Sequence, residues 1–219
     1  MRLDPVRACA RLTLLLLALA ALAPSARGQG LYDAFIHAVE VDDSDQVRAM
    51  LARGVDPNIV DTHGEPVLVV AARAGWERTV DALLSAGAKV DAANGFGDRP
   101  IMVAALSGQL AIVKMLLRRG AAIDTTPGWT PLIYAATNGH DDVVRYLLDA
   151  GAAIDAGSPN GTTALMMAVR GGHADTVDLL LGRGADVNHR NHDGATALAW
   201  ARRGGFEAIE TALERHGAR

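Results

Sequence analysis

The sequence predicts an all-α solenoid of about six stacked helix–turn–helix units with β-turn or hairpin fingers between them. Three observations carry that prediction. Similar segments recur at "PVLVVAARAG" (66–75), "RPIMVAALSG" (99–108), "TPLIYAATNG" (130–139), "TALMMAVRGG" (163–172) and "TALAWARRGG" (196–205), with closing glycines 33, 31, 33 and 33 residues apart. A second set follows in step: "MLARGVDPN" (50–58), "LLSAGAKVD" (83–91), "LLRRGAAID" (116–124), "LLDAGAAID" (147–155) and "LLGRGADVN" (180–188). Between the sets, apolar residues fall at helical spacing, as in Val143, Val144, Leu147 and Leu148. A fixed period of this length marks units that bury their apolar faces only against one another.

The chain opens differently from the rest. Arg2, Arg7 and Arg11 precede "LTLLLLALAALA" (12–23), an uncharged stretch of 12 residues followed by small residues in "PSARG". At ~1.5 Å per residue this stretch is too short to span a ~30 Å hydrocarbon core comfortably. Residues 1–28 therefore read as a cleavable secretory signal, with cleavage between Ser25 and Gln29; an uncleaved anchor is the other reading. The lone cysteine, Cys9, lies before the apolar stretch, so the mature chain has neither a disulfide nor a thiolate nucleophile. Removing residues 1–28 takes away four Arg and one Asp and moves the formal charge from -4 to -7. An acidic chain of this kind has no basic patch for nucleic acid and no attraction to anionic membranes.

The remaining 29–219 divide into units at about 31–60, 61–93, 94–126, 127–157, 158–190 and 191–217. In the first, "LYDAFIHAVEVDDSDQVRAMLARG" (31–54) supplies a helix pair without a preceding finger, as a terminal unit would. Within each later unit, glycines after the first and second helices suit left-handed C-terminal caps. Thr130 before Pro131 is a helix start: the hydroxyl accepts from a free N–H, and proline fits the first turn. Asp141 and Asp142, like Glu77, Asp175 and Glu207 in their own units, belong in the first turn of a second helix, where the dipole favours a carboxylate. In the last helix, "FEAIETALERHG" (206–217), Ile209 and Leu213 face inward while Glu207, Glu210, Glu214 and Arg215 face water.

These segments resemble ankyrin repeats over about residues 31–217. The Thr-Pro-Leu pattern, the Gly-His before the second helix and the closing Gly-Ala-Asp-Val-Asn are recognisable in "TPLIYAATNGH" and "LLGRGADVN". The departures are consistent. The motif histidine is replaced by Val69, Met102, Ile133, Met166 and Ala199, which predicts a dry interior at that position. The third finger, "DTTPGW" (124–129), is two residues shorter than "DAANGFGD" (91–98), which predicts a notch in the row of fingertips.

Candidate chemistry is sparse. His140 and His173 share one position in the repeat, which argues for an architectural role. His189, His192 and Asp193 in "NHRNHDG" (188–194) are the residues that could converge on a metal, since imidazole and carboxylate are suitable ligands. No serine stands in a strand-to-helix elbow, and no glycine-rich phosphate loop is present.

A binding surface has more support. The resemblance implies that fingertips and first helices line a concave face that holds partners. Fingertip residues on that face are His63, Glu65, Phe96, Asp98, Trp129, Asn160, Thr162 and Asp193. One matching position of the first helices holds Val70, Val103, Tyr134, Met167 and Trp200; three residues on stand Arg73, Leu106, Thr137, Arg170 and Arg203. Aromatic and Arg side chains are the usual interface anchors. The expected contact residues are Phe96 and Trp129, with Tyr134, Trp200, His63, Arg73, Arg170 and Arg203. The first helix set reads equally well as packing between units. The functional expectation is an exported, non-enzymatic protein-binding module, monomeric and without cofactor, with the periplasm as destination or, alternatively, the extracellular medium. The alternatives are a metal-dependent accessory enzyme built on His189, His192 and Asp193, or a secreted effector acting on another cell.

Overall fold

The computed structural model describes residues 24–124 and 128–219. The apolar stretch 12–23 and the tip of the short third finger lie outside the described residues. Twelve helices are present among the described residues, and they alternate as first and second helices of six units. The first helices are α1 (Pro24–Glu40), α3 (Val67–Ala74), α5 (Pro100–Leu106), α7 (Pro131–Thr137), α9 (Ala164–Gly171) and α11 (Ala197–Gly204). The second helices are α2 (Ser44–Ala52), α4 (Glu77–Ser85), α6 (Leu110–Arg118), α8 (Asp141–Asp149), α10 (Ala174–Gly182) and α12 (Glu207–Arg215). Each first helix packs on its own second helix and on the first helices before and after it; the second helices form a parallel, looser row. None of the described helices is long and apolar enough to cross a membrane.

The core is a ladder of equivalent positions. Val80, Val113, Val144 and Val177, one per second helix, are each fully buried, as are Leu83, Leu116, Leu147 and Leu180. The small residues Ala72, Ala105 and Ala136 let neighbouring first helices approach closely, and they too are fully buried. Helices this short are marginal in isolation, so burial between units rather than propensity holds them.

The caps follow the sequence expectation. Thr130, Thr163 and Thr196 accept from the backbone N–H of Ile133, Met166 and Ala199 at 3.2, 3.5 and 3.2 Å. The glycines that end the first helices, Gly75, Gly108, Gly139, Gly172 and Gly205, lie at φ +71° to +85°. The first unit has Asp42 at this point, at φ 55°, and its carboxylate accepts from the buried Thr79 hydroxyl at 2.7 Å.

A cap glycine has a second task, which is to leave room. A Cβ on Gly108 would stand 2.7 Å from Nδ1 of His140, and one on Gly139 would stand 2.6 Å from Nδ1 of His173. Gly75 faces Gln109 and Gly172 faces Phe206 in the same way. The side chain after each first-helix glycine therefore lies across the glycine of the preceding unit. His140 Nε2 donates to the Leu106 carbonyl at 2.9 Å, and His173 Nε2 to that of Thr137 at 3.0 Å. These are inter-unit staples, as the recurrence of the two histidines implied.

A parallel set of links runs through the residues that end the second motif. Asn58, Asp91, Asp124, Asp155 and Asn188 accept from the backbone N–H of Lys89, Ala122, Ala153, Asp186 and Arg219, at 2.8 to 3.3 Å. Each unit thus satisfies a backbone donor of the next.

The unit at 191–217 departs from the pattern on its outer face. Ala199 is exposed, so the dry interior expected at the motif-histidine position holds for Val69, Met102, Ile133 and Met166 and fails here. At positions where other units bury Ala or Val, this unit has Arg202 and Glu210; Glu214 replaces a leucine. Arg202 pairs with Glu210 at 2.7 Å and with Glu214 at 2.8 Å, a polar lid on the stack.

Candidate functional site

The fingers owe their shape to one repeated turn. Asp61, Asn94 and Asn191 each use one side-chain oxygen to accept from the N–H groups two and four residues on, at 2.8 to 3.1 Å. Ser158 accepts from the N–H of Thr162 at 3.1 Å. The third residue after each is a glycine with φ between +75° and +86°, a conformation that a Cβ would strain. Asx-turn chemistry of this kind is readable from Asp/Asn-x-x-Gly, although sequence reasoning had assigned these residues no role.

The groove between fingertips and first helices contains two recesses. The first, of 540 Å³, is lined by His63, Glu65, Arg73, Asn94, Phe96 and Asp98, together with two turn glycines. Phe96 is 94% exposed and projects freely. Arg73 is not free. Its guanidinium donates two hydrogen bonds to the Glu65 carboxylate, whose Oε1 also accepts from Asn94 at 2.9 Å. The Arg73 hydrogen bonds hold the Glu65 carboxyl below its usual pKa, and Glu65 in turn raises that of Arg73. His63 lies with Nδ1 3.5 Å from the Asp61 carboxylate and is otherwise exposed.

The second recess, of 640 Å³, is lined by Trp129, Met167, Arg170, Trp200, Arg203 and Phe206 among others, with Asn160, Thr162, Asn191 and Asp193 from the fingers. Met167 and Phe206 supply buried and half-buried floor, and Trp200 is half-buried. Of the expected contact residues, the structure gathers Trp129, Arg170, Trp200 and Arg203 here and leaves Phe96, His63 and Arg73 in the first recess. Phe206, which is not among the expected contact residues, also lines this recess, because the residue after each first-helix glycine reaches back over the preceding unit.

Tyr134 stands between the two. Its hydroxyl donates to Asp98 at 2.5 Å, and its ring meets Trp129 edge-on with centroids 5.8 Å apart. Burial first, and then the Asp98 carboxylate, push the tyrosine pKa well above its usual value, so it remains a neutral donor. Trp129 thus leans on a fixed neighbour.

The candidate metal ligands do not converge. His189 Nε2 donates to the Gly161 carbonyl at 2.9 Å, tying one finger to the previous one, while His192 packs beside Gly161 and Asp193 is exposed. Among the described residues, no group of three or more His, Cys, Asp or Glu side chains is placed to hold a metal ion.

The family model of ankyrin repeats in three copies matches residues 35–127, 122–191 and 151–219. Comparison with curated proteins found no match. The family match spans most of the chain, and the protein belongs to the ankyrin-repeat family. Ankyrin repeats are protein–protein interaction modules, so the groove is read as a surface for a protein partner.

Proposed function

We propose that this ankyrin-repeat protein is an exported, non-enzymatic module that binds a protein partner along the groove between its fingertips and first helices. One observation carries the reading: Trp129, Trp200, Met167, Arg170 and Arg203, drawn from three units, line one open recess. Aromatic and guanidinium groups around a partly apolar floor are the composition of an interface anchor site. The caps and staples hold the groove in shape before association, so little ordering entropy opposes binding. Such a module would scaffold, protect or inhibit its partner.

Export to the periplasm is supported by the basic and apolar character of residues 1–28. Cell fractionation with mass measurement of the mature chain tests it: recovery of the intact chain in the cytoplasm would end this part of the proposal. Groove binding is tested by affinity capture from the native compartment. The double change Phe96→Ala with Trp129→Ala is expected to abolish capture without shifting the melting transition. Capture by the folded double variant at the level of the native protein would refute the groove.

A further inference from the structure

We propose that the C-terminal half of the groove receives an extended acidic segment of the partner, with two carboxylates three residues apart and an apolar side chain between them. This inference rests on the groove-binding reading and names the chemistry of what the groove holds.

The matching positions along the first helices are Arg73, Leu106, Thr137, Arg170 and Arg203. Their charges are not equivalent. Arg73 is neutralised by Glu65, and the next two positions carry no charge. Arg170 and Arg203 are exposed in the last turns of α9 and α11 and enter no ion pair or side-chain hydrogen bond among the described residues. In a chain of net charge -4, two unpaired guanidinium groups in adjacent units concentrate positive charge in this one recess. Among the described residues the only carboxylate on its wall is Asp193, which sits on a fingertip rather than on the helices. Trp129, Met167, Trp200 and Phe206 supply apolar surface alongside.

Spacing sets the pattern. Neighbouring packed helices lie ~8–10 Å apart, and equivalent residues on them share that separation. A polyproline-II segment rises ~3.1 Å per residue with three residues per turn, so side chains three apart lie on one face about 9 Å from each other. Such a segment, running across α9 and α11, brings one carboxylate to each guanidinium for a charge-assisted, two-pronged hydrogen bond. A side chain between the two carboxylates falls against the tryptophans.

The test uses fluorescence anisotropy with two fluorescein-labelled peptides, GSGEFPEGSG and its partner with lysine in place of both glutamates. The acidic peptide is expected to bind at least about tenfold tighter than the basic one and to weaken between ~0.05 and ~0.5 M salt. Arg170→Gln with Arg203→Gln is expected to bring its affinity down to that of the basic peptide, while the melting transition stays unchanged. Equal or tighter binding of the basic peptide, or undiminished binding of the acidic peptide to the folded double variant, overturns the proposal. If neither peptide binds but Phe96→Ala with Trp129→Ala still abolishes partner capture, the acidic segment is wrong and groove binding stands. If that double change leaves capture intact as well, both fall.

Discussion

A methyl group on Gly108 tests whether the stacking of one unit on the next is as close as the structure shows. Gly108 has φ +71°, and an added Cβ would stand 2.7 Å from Nδ1 of His140 in the following unit. Left-handed backbone costs an L-residue ~1–2 kcal/mol. The reduced freedom of the unfolded chain offsets ~0.4–1 kcal/mol of that. At Gly120 (φ +87°) no atom of the described residues beyond its own chain neighbours lies within 4 Å of the added Cβ, so Gly120→Ala should show this backbone balance alone, on the order of 1 kcal/mol. Gly108→Ala must in addition displace the imidazole and break its 2.9 Å bond to the Leu106 carbonyl, which adds ~1 kcal/mol or more. Urea unfolding followed by far-UV circular dichroism should therefore place Gly108→Ala at least ~1 kcal/mol below Gly120→Ala. Adding His140→Ala to Gly108→Ala removes the obstacle, and the pair should be more stable than the sum of the single changes predicts. Equal losses at the two glycines, or strictly additive losses in the pair, would show that the imidazole does not lie across Gly108.

Two further outcomes follow from the core and the first recess. Leu147 is fully buried near the middle of the stack, and Leu147→Ala should cost ~2–5 kcal/mol in the same urea assay; a loss below ~1 kcal/mol would contradict its burial between units. The Glu65 carboxyl is held below the usual carboxylate range by hydrogen bonds from Arg73, so the unfolded chain binds its proton more readily than the folded one. The Glu65 contribution is thus present above the unfolded pKa and lost as pH falls through the lower folded value. Stability compared with Glu65→Gln should show an advantage at neutral pH that vanishes in acid, and a constant difference across pH would refute the pairing.

Much of the architecture was legible because it repeats. Five copies in register expose the helices, the glycine caps and the shared position of His140 and His173, so a staple could be distinguished from a catalytic base. Features that depend on which unit comes next were less legible. Ala199 is a motif-histidine position like Met166, yet it is exposed because no described residue packs over it. The same limit applied to the groove. Arg73, Arg170 and Arg203 occupy one column of the repeat, but Glu65 stands within reach of the first alone, so only the fold separates a neutralised arginine from two available ones. Trp129 and Phe96 looked paired on adjacent fingers, whereas the short third finger seats Trp129 against Tyr134 and directs it to the other recess.

The Arg202, Glu210 and Glu214 cluster bears on how such chains behave at high concentration. A solenoid whose final face matched its interior faces would invite the start of another molecule to continue the series, and fibres would grow end to end. Here a newcomer would have to strip water from three charges that already satisfy one another.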